Sequence, residues 1–482
     1  MGSPTLVGLD VGTTGVKAVA ISPDGDAVAT ASYGYALSTP RAGWSEQDPK
    51  AWWAAAQAAL AEVSDGREVA GIGLSGQMHG LVVLDAAGDV IRPAILWNDQ
   101  RTAAECVEIE ERVGLEQLIA LTGNRALTGF TAPKLLWLRR HEPEAWARIA
   151  RIVLPKDYVR LRLTGEWAID ASDASGTLLL DVAGRDWSAD VLDALEIPRE
   201  WLPPVLESPD LAGACHSLLQ APPVAAGAGD QPAAALGVGV TGPGPVSVVL
   251  GTSGVVLAAL PSYAHDPEAR VHAFCHAVPA TWQAMGVMLS AAGSLQWLQE
   301  VAGPDAPFEK LVAEAEGWPA GTEGLLFAPY LAGERTPYPD PDARAAFVGL
   351  ELRHDRGALV RAVLEGVAFG LRDSLELLRD LGVDASVARV SGGGSRSALW
   401  RRIVASVLDM PLEPMPSSEG SAFGAALLGG IAGGVFRDPH EAVARCVRTE
   451  EPTLPDQRWV DTYAALYPRF RSLYPATKGV TG

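Results

Sequence analysis

Leu9–Ile21 reads LDVGTTGVKAVAI and Val248–Leu260 reads VVLGTSGVVLAAL. In each, an apolar run meets Gly-Thr-Thr/Ser-Gly and leaves as a second run rich in β-branched residues, the pattern of two strands joined by a tight turn. A single segment of this kind needs no special explanation, because Gly and Thr are good turn residues. Two of them, one in each half of the chain, predict a duplicated fold. Between the copies lies GAGDQPAAALGVGVTGPGP (Gly227–Pro245), an Ala-rich helix followed by Gly and Pro. That composition predicts a lobe boundary near residue 241, dividing the chain into 1–241 and 242–482.

The rest of the chain alternates strands with helices, which argues α/β. VAGIGLS from Val69 and LVVLD from Leu81 read as strands, and DPKAWWAAAQAALAEV as a helix with Asp48 as cap and Pro49 in its first position. The second half repeats the mixture, with helices from Leu359, Ser397 and Ser421 around a strand from Val387. At 482 residues the chain exceeds one ordinary core. Its 48% hydrophobic and 20% charged residues are those of a soluble globular protein. A formal net charge of −20 argues against nucleic acid and anionic membranes as partners, so a phosphate ligand is expected to be held by local amides and a metal ion. Cys106, Cys215, Cys275 and Cys446 are scattered with no CxxC pair, which fits reduced thiols and a cytoplasmic setting.

The glycine turns are suited to phosphate, since backbone N–H groups approach a ligand unobstructed and Thr13, Thr14, Thr252 and Ser253 add hydroxyls. No GxxxxGK[ST] segment is present, so ATP, if used, is held without a P-loop. GVGVTG from Gly237 follows a helix and opens none, which excludes a dinucleotide fingerprint. HAFCH from His272 has no second ligand cluster and reads as buried packing rather than a zinc site. Asp10, at the end of the first strand, suits either a Mg2+ site on phosphates or a turn acceptor. Asp230 suits either a helix cap or a general base. Met78 and His79, in SGQMHG, stand after a strand end, where α/β proteins usually bind ligands. LWNDQR from Leu96 offers Trp97, Asn98, Asp99 and Arg101 to a polyol or to a surface loop, and GGGSRSALW from Gly392 leaves room for a planar ring or for a tight turn.

Over nearly its whole length the sequence resembles the FGGY family of carbohydrate kinases. DVGTTGVK, GWSEQDP, SGQMHG, LWND, GFTAPKLLWL, LPKDYVRLRLTG, DASDASGT, LGTSG, PYLAGERTP and SGGGSRS all fall in the family's order, with Lys134 and Trp137 in place in its first signature. The resemblance implies two actin-like (ribonuclease H-like) lobes with the site in the cleft between them, an N-terminal lobe for sugar and a C-terminal lobe for nucleotide. It implies ATP with Mg2+ as co-substrates and the terminal 5-hydroxyl of D-xylulose as acceptor, with ribulose, glycerol or another polyol, or a non-catalytic actin-like protein, as the competing readings. By carry-over Asp230 is the base and Asp10 supports metal and phosphates. Met78, His79, Trp97, Asp99 and Gln231 contact the sugar, and Thr13, Thr14, Lys17, Gly251, Thr252, Gly393, Gly394 and Ser397 line the nucleotide site. The assembly implied is a homodimer. Two positions depart from the pattern: Gln231-Pro232 stands where Asn-Ala is common, and Ala358 stands where a polar residue usually precedes the helix, which is expected to weaken its cap.

Overall fold

The computed structural model describes residues 4–416 and 420–481. The two quoted segments are hairpins in separate sheets. In the first, β1 (Thr5–Val11) and β2 (Gly15–Ile21) run antiparallel with Asp10 opposite Lys17, and β3 (Ala27–Gly34) extends them antiparallel. On the other side β4 (Val69–Gly76) lies parallel to β1, with Ser75 opposite Asp10. β5 (Leu211–Ala214) and β6 (Pro223–Ala225) continue the sheet, and the short β7 (Ala228–Gly229) pairs parallel with the end of β4, Gly229 beside Gly76.

The second sheet contains β8 (Gly244–Leu250), β9 (Gly254–Leu260), β10 (His272–Cys275), β11 (Trp282–Met288), β12 (Ala385–Ser391) and β13 (Leu412–Pro414). Its pairing repeats that of the first. The runs β3-β2-β1-β4-β6 and β11-β9-β8-β12-β13 are each joined antiparallel, antiparallel, parallel, parallel. The duplication expected from the two hairpins is thus present in the backbone. Parallel strands β1, β4 and β7 end at one edge, so the residues that follow them, Gly12, Gln77 and Asp230, emerge together.

The helices that matter for the cleft are α1 (Pro49–Ser64), α2 (Thr131–His141), α3 (Pro155–Thr164), α4 (Ala171–Ser175), α5 (Asp230–Gly237), α6 (Ala292–Ala302), α7 (Arg356–Asp380), α8 (Ala398–Leu408) and α9 (Gly420–Ala432). Asp48 caps α1 by accepting from the Lys50 N–H, with Pro49 in the first turn as expected. Two expectations about caps are corrected. α5 begins at Asp230 itself with Gly229 in the capping position, so the Asp230 carboxylate stands in the first turn. α7 begins before Leu359, and Asp355 caps it by accepting from the Ala358 N–H at 3.1 Å, so alanine at 358 does not weaken the cap. Among the described residues no helix is long and apolar enough to cross a membrane.

α9, late in the chain, lies on the first sheet. Its backbone comes so close that a Cβ on Gly8 would stand 1.9 Å from the Ala422 carbonyl oxygen, and one on Gly73 1.8 Å from that of Ala425. The glycines of β1 and β4 are therefore there for close approach. An apolar cluster of Leu6, Val19, Leu236, Ala422, Ala426 and Leu427 closes this contact.

Candidate active site

Asp10 and Asp230 stand at the shared strand edge. Ser75 Oγ donates to Asp10 Oδ1 at 2.8 Å across the β1–β4 pair, and burial raises the Asp10 carboxyl against hydrogen bonds from Ser421 and Ser75 and the charge of Lys17. The Ser421 contact comes from α9, which lies on the first sheet beside the carboxylates. Asp230 is pushed up to about 7, first by burial and then by the negative charge of Asp10, against hydrogen bonds from the backbone and side chain of Gln231. Two buried carboxylates, one of which raises the other, are an arrangement suited to proton acceptance, or to a divalent cation that relieves both.

Met78 and His79 form the floor beside Asp230. A Cβ on Gly229 would lie 2.8 Å from Met78 Cγ, so the glycine preceding Asp230 packs directly on that side chain. His79 has φ +71, a left-handed conformation uncommon for a non-glycine residue. It is held there by its carbonyl, which accepts from Thr131 Oγ1 at 3.0 Å and Lys134 Nζ at 2.8 Å, both from α2. Its Nδ1 lies 2.7 Å from the Gly176 carbonyl, which only accepts, so Nδ1 carries the proton. Burial lowers the imidazole to about 3, so at neutral pH the ring is uncharged and Nε2 presents a lone pair to a hydroxyl donor. Trp97 is 43% exposed, and its Nε1 donates to Thr13 Oγ1 at 2.9 Å, which hangs the indole from the first turn.

The second turn borders a separate cavity of about 710 Å³, lined by Gly251, Thr252, Gly393, Gly394 and Ser397 with Gln296 and Phe308 among its walls. That volume is in the range of small-molecule sites. The Gly251 and Thr252 carbonyls accept from Ala292 N and Ala291 N, both at 2.8 Å, which pins the turn to the start of α6 and leaves the Thr252 and Ser253 side chains exposed. Ser397 Oγ accepts from Trp400 N at 3.2 Å and caps α8, whose start forms one wall.

Among the expected site residues, Asp10, Lys17, Met78, His79, Asp230 and Gln231 lie at the first edge, with Thr13, Thr14 and Trp97 at its turn, while Gly251, Thr252, Gly393, Gly394 and Ser397 meet at the cavity. Asp99 does not join them. It is fully buried, accepting from Ser45 N at 2.7 Å and from Arg101 at 2.7 and 2.9 Å, and it fixes the Arg101 guanidinium over Trp44. His272 is buried against Phe274 with Nδ1 2.6 Å from Asn124 Oδ1, in keeping with the packing role expected of HAFCH. The sequence reading assigned no role to Lys134, Gly176 or Gln296. Lys134 is fully buried, and burial lowers its ammonium to about 7; a lysine on an otherwise apolar helical stretch was the available signal.

Duplicated α/β sheets, one carrying carboxylates at its strand edge and the other a glycine-lined cavity, fit an actin-like kinase. The chain belongs to the FGGY family of carbohydrate kinases: residues 5–237 match the family's N-terminal domain and residues 246–433 its C-terminal domain. It is 42% identical over 482 aligned residues to the xylulose kinase of Escherichia coli (strain K12), covering 97% of this chain and 98% of that one. The crystal structure of a xyloylose kinase from Brucella ovis superposes with a TM-score of 0.93 at 43% identity, covering 99% of this chain and all of that one. A gluconate kinase structure from Lactobacillus acidophilus superposes with a TM-score of 0.94 at 26% identity, covering 100% of this chain and 99% of that one. Similar folds therefore carry different substrate names, and substrate must be argued from the site.

Proposed function

We propose that this carbohydrate kinase transfers the γ-phosphoryl group of ATP to the 5-hydroxyl of D-xylulose, with Asp230 as general base. The observation that carries the reading is the Asp230 carboxylate, raised to about 7 beside Met78 and His79 at the end of the parallel strands. A base with that affinity accepts a hydroxyl proton at neutral pH without binding it too tightly to release. The choice of sugar is supported by the full-length similarity to xylulose kinases. His79 Nε2 accepts from one sugar hydroxyl, Met78 and Trp97 supply apolar walls, and Gln231 holds Asp230 through its amide.

In the same reading, the chain divides near residue 241, with the sugar on the N-terminal lobe and the nucleotide in the cavity of the C-terminal lobe. Gly393 and Gly394 give the nucleotide a flat backbone wall. The turns at Gly12–Gly15 and Gly251–Gly254 face the phosphates, with Lys17 and the Thr14 hydroxyl beside the first. Phosphoryl transfer through a loose transition state depends mainly on alignment and charge stabilisation, which is what two opposed turns provide. The described residues contain no cluster of three or more His, Cys, Asp or Glu fit for a metal, so Mg2+ would rest on Asp10 with phosphate oxygens and water as its other ligands, a donor set it favours. Bound there, it neutralises phosphate charge.

ADP release with D-xylulose, D-ribulose, glycerol and gluconate in parallel tests the reaction and the substrate together. D-Xylulose is expected to give the highest kcat/KM, and Asp230→Asn to lower kcat ~100-fold or more while both substrates still bind. Turnover of Asp230→Asn above about a third of wild type would reject the base, and a higher kcat/KM for another acceptor would reject the sugar.

A further inference from the structure

Two segments, LPKDYVRLRLTG (Leu154–Gly165) and DASDASGT (Asp170–Thr177), supply no reactive group to this mechanism, yet they build a fully buried charge cluster. Lys156 Nζ lies 2.7 Å from Asp157 Oδ1, 2.7 Å from Asp170 Oδ1 and 3.1 Å from Asp173 Oδ2. Arg160 pairs with Asp157 at 2.9 Å and donates to the carbonyls of Ala226 and Ala168. Burial tends to discharge Lys156, but the three carboxylates win and hold it above its ordinary value. Burial drives the Asp173 carboxyl well up, against the pull of Lys156. A buried cluster of this kind contributes little net stability but strongly fixes geometry, because no member can move without uncovering a charge.

The cluster holds α4. Asp170 Oδ2 caps it, accepting from Ser172 N at 2.8 Å, Asp173 N at 3.2 Å and Ser172 Oγ at 2.5 Å. Ser172 Oγ in turn accepts from Gly229 N at 3.2 Å, one residue before Asp230. At the other end of the same short helix, the Gly176 carbonyl accepts from His79 Nδ1. The base and the histidine are thus tied to opposite ends of one five-residue helix.

We infer that α4 is a spacer that sets the separation and orientation of Asp230 and His79, with Ser172 as the positioning residue at the base end and Gly176 at the sugar end. The inference rests on the roles given to Asp230 and His79 above. The two ends have different kinetic signatures. Losing the Ser172 hydroxyl frees Gly229 and misaligns the base, which lowers kcat. A methyl on Gly176, whose φ of −76 accommodates alanine, would stand 2.6 Å from His79 Nδ1 and displace the ring, which weakens sugar binding.

Ser208→Ala is the control, because Ser208 Oγ donates to the same Asp170 oxygen at 3.2 Å without touching Gly229 through its side chain. The four variants Ser172→Ala, Gly176→Ala, Ser208→Ala and Asp230→Asn are compared by melting and by steady-state kinetics with D-xylulose. Ser172→Ala is expected to lose ~10-fold in kcat with sugar KM within ~2-fold, and Gly176→Ala to raise sugar KM ~10-fold with kcat within ~3-fold. Ser208→Ala should match Ser172→Ala in melting yet keep wild-type kinetics. Equal kinetics for Ser172→Ala and Ser208→Ala, or a shift of the same parameter by Ser172→Ala and Gly176→Ala, would overturn the spacer. Should one of the two fail to fold, the other set against Ser208→Ala decides. An active Asp230→Asn would instead remove the base assignment, which separates that failure from failure of the spacer.

Discussion

The two Gly-hydroxyl turns share a sequence pattern and a strand order but are used differently. The first is braced by its own lobe: Thr13 Oγ1 meets Trp97 and Gln77, the Thr13 carbonyl accepts from Gln47 Nε2 at 2.7 Å, and the strand leading into it lies under α9. The second is pinned only through its carbonyls to the start of α6, and its side chains face solvent beside a cavity. The two turns are alike in sequence, and side chains of the first half brace one while the other stays open. A braced turn suits a rigid wall that holds its shape, and an open one suits a ligand that must enter and leave.

The largest difference should appear in folding. Gly8→Ala forces a methyl to within 1.9 Å of a carbonyl oxygen and should cost more than about 3 kcal/mol or abolish soluble expression. Gly251→Ala meets nothing nearer than 3.4 Å and should melt within about 2 °C of wild type. Equal thermal losses would erase the contrast between a covered and an open hairpin.

Next comes the pH dependence expected of Asp230 at the first edge. With Asp230 raised to about 7, kcat/KM should fall about tenfold per pH unit below that value as the base takes up a proton, and a profile flat down to pH 5 would contradict it. The stability sign is opposite to that of a salt-bridged carboxylate. Because the folded value lies above the unfolded one, the native state gains stability as pH falls from about 7 toward 4, so Asp230→Asn should melt higher than wild type at pH 8.

Smaller effects should distinguish the hydroxyls. Thr252→Val should raise the KM for ATP ~3- to 10-fold and leave melting unchanged, whereas Thr13→Val should also lower the melting temperature, since its hydroxyl is already bonded within the protein. Thermal melting separates the two, and an equal melting temperature for both variants would mean that the turns are braced alike. The smallest change is Trp97→Phe, which removes one indole hydrogen bond worth about 1 kcal/mol and should raise sugar KM by no more than ~5-fold.

Features set within a few residues were legible in the sequence. The hairpins follow from alternation and turn chemistry, the start of α1 from Asp48 and Pro49, and the start of α8 from Ser397, each requiring only neighbours along the chain. The repeat of the hairpin even forecast the doubled sheet. What the residues did not disclose was how distant segments alter one another. The burial of Asp99 was not legible because one partner of its carboxylate, Ser45, is 54 positions away. The tautomer of His79 is fixed by a carbonyl 97 positions away, and α9 reaches the first sheet only because glycines on β1 and β4 leave space for its backbone.

Sequence by itself therefore determined the α/β class, the duplication and the candidate carboxylates, Asp10 and Asp230. Only tertiary structure decided their state: Asp230 stands near neutrality because folding strips it of water and sets it beside Asp10. Desolvation and charge proximity are sums over atoms gathered from the whole chain, whereas turns, caps and alternation are decided by the backbone within one or two turns of itself.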